Sequence, residues 1–149
     1  MTSASGVEDA YVHAYLAGII DGEGCFSISR RSDRHYSPLI SVGMVEQTVI
    51  NKLKETYGGN VYKEEGKYRP IYKWQVRNFD SIIVILDKLK PYLTVKCKSA
   101  ELLREFISGR SLGYKRLMTD EEVTRRADVY RRIKEANAVG MVYRTMKEI

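Results

Sequence analysis

Cysteine occurs only twice in 149 residues, at Cys25 and Cys97, with no Cys-x-x-Cys spacing. This argues against a disulfide framework or a zinc ribbon and makes an intracellular compartment the expectation. Proline occurs only three times, so the chain is neither collagenous nor a Pro-rich disordered segment. No run of eighteen apolar residues is present, which leaves no candidate membrane span. The first 24 residues lack Lys and Arg altogether, unlike a transit peptide or a charged secretory n-region. The two histidines, His13 and His35, have no Ser or Cys in a nucleophile elbow to serve, so a hydrolytic triad has no support.

What is present is basic charge, unevenly placed. Those first 24 residues hold Glu8, Asp9, Asp21 and Glu23, whereas the remaining 125 hold all 25 basic residues and 15 acids, a net of +10. A basic body around a small acidic segment suits a polyanion partner, with the acids reserved for another task. Charge alone fits a solvated basic surface equally well.

The length and the 44% hydrophobic content predict one domain with one core. Residues 8–22 read as a helix stopped by Gly22 and Gly24, and 25–31 alternate as a half-buried strand. A turn over Arg34-His35-Tyr36-Ser37-Pro38 leads to a strand at 39–46 and a helix at 48–57. Strands at 60–64 and 68–77 follow. The latter puts Tyr72, Trp74 and Val76 on one face and Lys73, Gln75 and Arg77 on the other. Helices are expected at 81–89, at 98–108 and, opened by a Thr119-x-x-Glu122 capping box, from there to about Asn137.

The predicted class is therefore α+β: an αββαββα core over about 8–110, with a C-terminal helical extension over about 111–149. Its four-stranded antiparallel sheet would carry helices on one face. The other face would display Ser27, Ser29, Arg31, Tyr62, Lys73, Gln75 and Arg77, with Arg34 in the adjoining turn. Such a face suits a reader of the DNA major groove, although antiparallel sheets also expose polar faces to water. Arg125, Arg126, Arg131 and Arg132, on a helix away from the sheet, are expected to be phosphate contacts or solvated charges.

Residues 16–24 read Leu-Ala-Gly-Ile-Ile-Asp-Gly-Glu-Gly. Ala14, Gly18 and Gly22 recur every four residues, a nearly bare strip along which another helix could approach. Glu23 ends the helix at the negative pole of its dipole, a costly place for a carboxylate unless a cation compensates it. Oxygen ligands beside phosphates would suit Mg²⁺ better than zinc.

From Tyr15 to Gly24 the chain closely resembles the signature of LAGLIDADG homing endonucleases, with Gly22 and Glu23 in place of the namesake Ala and Asp. The element order and the length of single-motif members extend the resemblance over nearly all of residues 8–110. No second motif is present, since Phe106–Gly113, the nearest Gly-containing stretch, has no acid. The resemblance implies an intron-encoded, site-specific double-strand DNA endonuclease, homodimeric and Mg²⁺-dependent, with Mn²⁺ or Ca²⁺ as other occupants of the site. It would cut a pseudo-palindromic target across the minor groove and leave short 3′ overhangs. The alternative on the same scaffold is an intron maturase or a non-cleaving nucleic-acid-binding protein.

By the same resemblance Glu23 and the Gly22 carbonyl would hold the metal, and Ala14, Gly18, Asp21 and Gly22 would line the dimer interface. Asp21 would brace the helix end. Gln47 would orient active-site water, and Lys96 would stabilise charge on the phosphate, with Lys98 as its competitor; surface placement is the plain reading of all three. Anchoring the second strand on Gln47 would turn Ile40, Val42 and Met44 toward DNA, and a one-residue slip reverses every face.

Overall fold

The computed structural model describes residues 4–112 and 117–147, with side chains over 6–112 and 117–138. Residues 113–116 and 148–149 of the expected extension lie outside the described residues. The element order is α1 (Ala4–Glu23), β1 (Gly24–Ser32), β2 (His35–Met44), α2 (Gln47–Tyr57), β3 (Asn60–Glu64), β4 (Ile71–Val76), α3 (Phe79–Leu89), α4 (Cys97–Ser108) and α5 (Asp120–Lys147). The strands form one sheet in the order β1-β2-β4-β3. The architecture is α+β, as the sequence patterning predicts.

Several boundaries differ from expectation: α1 begins at Ala4, α3 begins at Phe79, β2 ends at Met44, and α5 runs on past Asn137 to Lys147. The turn between β1 and β2 is Asp33-Arg34, and the strand already resumes at His35. Arg30 donates to Asp33 at 2.8 Å and Ser32 pairs with His35 Nδ1 at 2.6 Å, bracing so short a turn. Pro38 consequently lies inside β2, ahead of the stretch that pairs with β4, where a missing N–H costs little. The fourth strand starts at Ile71, later than its alternation suggested.

The chain divides into two compact units. The first comprises the described residues of Met1–Cys25 and Leu39–Cys97. Its buried side chains include Leu16, Ala17 and Ile20 of α1, Ile50 and Leu53 of α2, Trp74 and Val76 of β4, and Ile82, Ile85, Leu86 and Leu89 of α3. Helix α1 packs on α3, and α2 lies on β3 and β4. Each fully buried aliphatic side chain contributes about 1.5–3 kcal/mol. Trp74 anchors the seam by donating from Nε1 to the Gly58 carbonyl at 2.7 Å. His13 stacks on Tyr57 and hydrogen-bonds its hydroxyl at 2.7 Å. Burial, and then the neighbouring Lys88 charge, hold the His13 pKa down, while burial pushes the Tyr57 phenol up. His13 is thus a packing residue.

The second unit comprises Phe26–Pro38 and the described residues from Lys98 onward. Phe26, Ile28, Leu103, Phe106, Val129 and Ile133 are buried in it. Its helix α5 begins on half of the expected capping box: Thr119 Oγ1 accepts from the Glu122 N–H at 3.2 Å. The Glu122 side chain instead accepts from Arg125, Arg126 and Ser111. Arg125 also donates to the carbonyls of Glu105 and Phe106 in the last turn of α4, where the Glu105 carbonyl accepts the Gly109 N–H as well. Arg131 pairs with Asp128 and Glu135, and Arg132 with Asp128 and Glu105. Each of the four arginines thus has an acid three or four residues away on the helix, buried with Glu122 in the case of Arg126 and exposed in the case of Arg131.

Candidate active site

Helix α1 ends on the motif, and the structure separates the roles of its three glycines. A Cβ at Gly24 would lie 2.9 Å from the Cα, the carbonyl oxygen and Cγ2 of Ile20, so only glycine lets β1 leave the helix this closely. Gly18 and Gly22 are the opposite case: both are exposed, and a Cβ there would meet nothing within 4 Å. Val7, Tyr11 and Tyr15 are exposed on the same helix, Tyr11 at 72%.

The two acids at the helix end are used differently. Asp21 accepts three consecutive backbone N–H groups, from Thr94 at 2.8 Å, Val95 at 3.1 Å and Lys96 at 3.0 Å. Its brace is therefore on the segment that leads into α4. Lys96 closes the loop by donating from Nζ to the Asp21 carbonyl at 2.6 Å. A cation thus compensates the dipole of a helix that has no basic residue in its last turn. Glu23, two residues on, is exposed, and no hydrogen bond or ion pair to another described residue engages its carboxylate.

The fold brings Asp21 and Lys96 together beside the helix end that carries Glu23. Gln47 is the first residue of α2, after the Glu46 N-cap, and is exposed. No hydrogen bond among the described residues joins it to Glu23 or Lys96. Lys98 is exposed in the first turn of α4. Among the described residues no group of three or more His, Cys, Asp or Glu could hold a metal ion.

The sheet face is set by register. Ile40 pairs with Val76, Ser41 with Gln75, Val42 with Trp74 and Gly43 with Lys73. Ile40 and Val42 are buried with Trp74 and Val76, so the expectation that Ile40, Val42 and Met44 face DNA is overturned. Val45 and Glu46 leave the strand before α2 begins, so alternation counted back from Gln47 does not carry into β2. Ser41 and Gly43 share the other face with Lys73 and Gln75, and β3 adds Asn60, Tyr62 and Glu64.

The remaining sheet candidates vary in freedom. Ser27 and Ser29 alternate with buried Phe26 and Ile28 and are half-buried. Arg31 is exposed at the end of β1. Arg34 is held by Asp120 at 2.8 Å and by the Met118 carbonyl at 3.1 Å. Lys73 pairs with Glu64 at 3.0 Å. Arg77 follows the last residue of β4, and its Nη1 is buried without a hydrogen-bond partner. Glu64 and Ser41 carry no local signal of their place on this face, since β3 is too short to show its period and the parity of β2 is fixed only by its pairing with β4.

The LAGLIDADG endonuclease family model matches residues 16–107. The archaeal intron-encoded homing endonuclease I-Vdi141I, complexed with DNA, superposes with a TM-score of 0.71 at 21% identity, over 85% of this chain and 84% of that one. The homing endonuclease I-CvuI, in complex with its target in the presence of Ca, gives 0.72 at 20% identity, over 87% and 84%. No curated protein sequence matches. The matched span opens at Leu16, inside the motif, and runs through the sheet, Asp21, Glu23 and Lys96 to the end of α4, so that fold and motif coincide: the chain belongs to the LAGLIDADG endonuclease family.

Proposed function

We propose that this chain is a homodimeric, Mg²⁺-dependent, site-specific double-strand DNA endonuclease. One observation carries the reading: the exposed carboxylate of Glu23 is left without a partner at the end of a helix whose neighbouring acid, Asp21, is fully engaged. An acid in that position gains nothing within the chain, since Lys96 donates to the Asp21 carbonyl and not to Glu23. Relatives solved with DNA, including I-CvuI with its target in the presence of Ca, support the substrate class and a divalent ion at the site.

Glu23 and the Gly22 carbonyl are hard oxygen donors and fit Mg²⁺. Since no described cluster could hold a metal by itself, further oxygen ligands would have to come from DNA phosphates, water or a second copy's Glu23. When bound, the ion makes water more acidic and neutralises charge at the phosphate. Lys96 offers its ammonium to the same phosphate, held in place by its backbone and side-chain bonds to Asp21. Gln47 orients water by hydrogen bonding.

The bare positions Gly18 and Gly22, with Ala14, let α1 lie against α1 of a second copy about a twofold axis. Asp21 lies on that helix end but gives its carboxylate to its own chain. Ser27, Ser29, Arg31, Tyr62, Lys73, Gln75 and Arg77 address the major groove of each half-site, with Arg34 at the hairpin turn. The two Glu23 carboxylates meet over the central minor groove, where cutting leaves short 3′ overhangs. The described chain acts as one domain, with the residues beyond about 111 as a helical extension.

Recovery of cleaved sites from a randomised duplex library with Mg²⁺ tests the reading. A pseudo-palindromic site is expected, and Gly18→Leu should give a monomer that makes no double-strand breaks. Selective binding without cleavage would favour the maturase or binding-protein alternative, and a cleaving monomer would refute the dimer.

A further inference from the structure

The exposed face of β3 and β4 carries an acid where a polyanion partner gives it no reason to be. Glu64 and Lys73 project from the side opposite buried Trp74, with Tyr62 paired to Lys73 across the strands. Glu64 Oε2 lies 3.0 Å from Lys73 Nζ, and the two side chains remain 55% and 40% exposed. The lysine stem runs beside Gly43, where a Cβ would meet Lys73 Cγ at an ordinary contact distance of 3.5 Å. So exposed a pair contributes little to folding. Against phosphate, Glu64 would only repel.

A base edge changes that account. In the major groove a carboxylate finds donors only at cytosine N4 and adenine N6, whereas an ammonium finds its best acceptors at guanine O6 and N7. Each group keeps spare capacity within the pair, since Lys73 has two further N–H donors and Glu64 a second carboxylate oxygen. In a G·C pair the guanine acceptors and the cytosine donor lie side by side across the groove, as these two groups do across the strands. We infer that Glu64 and Lys73 together read one G·C pair in each half-site, Lys73 donating to guanine and Glu64 accepting from cytosine N4. Thymine O4 or guanine O6 opposite Glu64 would set acceptor against carboxylate, so the acid rejects bases as well as selecting one. This inference rests on the proposal that the sheet enters the major groove.

The test is selection of bound and cleaved sites from a randomised duplex library, using the full chain with Mg²⁺. Wild type, Glu64→Gln and Lys73→Met are compared, with thermal unfolding of each as the check on folding. Wild type is expected to require G·C at one position of each half-site. Both variants are expected to relax that same base pair, each by about tenfold or more, with other positions and the unfolding transition unchanged. The inference is overturned if Glu64→Gln alters affinity for all sequences alike, or if the two variants relax different base pairs. If wild type selects no sequence, sheet reading itself fails and the inference with it.

Discussion

The end of α1 and the start of α5 each present a carboxylate, and the chain treats the two oppositely. At α5, Glu122 is 2% exposed and accepts from two arginines and a serine. Burial opposes its ionisation, but the hydrogen bonds from Arg125 and Arg126 outweigh that and hold its pKa at about 2. At α1, Glu23 is exposed with no such partner among the described residues. Twenty-five basic residues are available, and Lys96 is directed to the Asp21 carbonyl two residues away. Where stability is served the acid is saturated with partners; at the end of α1 it is left open, which is the basis of the role proposed for it.

The largest expected effect is at α5. Glu122→Ala should leave Arg126, only 7% exposed, without its buried ion-pair partner and cost about 3–5 kcal/mol, measured by denaturant unfolding. The same pair predicts an acid limb. Because the folded-state pKa lies near 2 against an ordinary 4.5, the unfolded chain takes up the proton first as pH falls. Glu122's contribution should be complete above about pH 4.5 and be lost progressively toward pH 2. A flat wild-type stability curve across that window would remove the contrast.

Asp21 should fall between the extremes. Asp21→Ala leaves three N–H groups of the 94–96 segment without their acceptor and should cost about 1–2 kcal/mol, the segment being partly open to water. Cleavage should fall further than this loss explains, because Lys96 is positioned by the same contacts. The smallest effect is expected from Arg131→Ala. Its ion pairs with Asp128 and Glu135 are exposed, and thermal unfolding should register less than about 1 kcal/mol. A large loss there would show that exposure misjudges α5.

Much of this contrast was legible in the sequence, for local reasons. The motif, the two glycines bounding Glu23 and the alternation of residues 72–77 are short-range patterns, and element order followed from them. What escaped depended on distant partners. The face of β2 is set by pairing with β4, across the break at Val45 and Glu46 that local counting could not cross. The bonds from Asp21 reach residues 73 to 75 positions away. The ion pairs of the α5 arginines rest on acids one turn away on the same helix and, for Arg132, on Glu105 of α4, 27 positions away.

The most direct measurement compares binding and cleavage of one selected duplex by wild type and Glu23→Gln, with Mg²⁺ present and the unfolding transition monitored. Stability should change by less than about 0.5 kcal/mol, as for an exposed side chain without partners. DNA binding should persist and cleavage should be abolished. Cleavage that survives in Glu23→Gln would contradict the account and move the chemistry away from the end of α1.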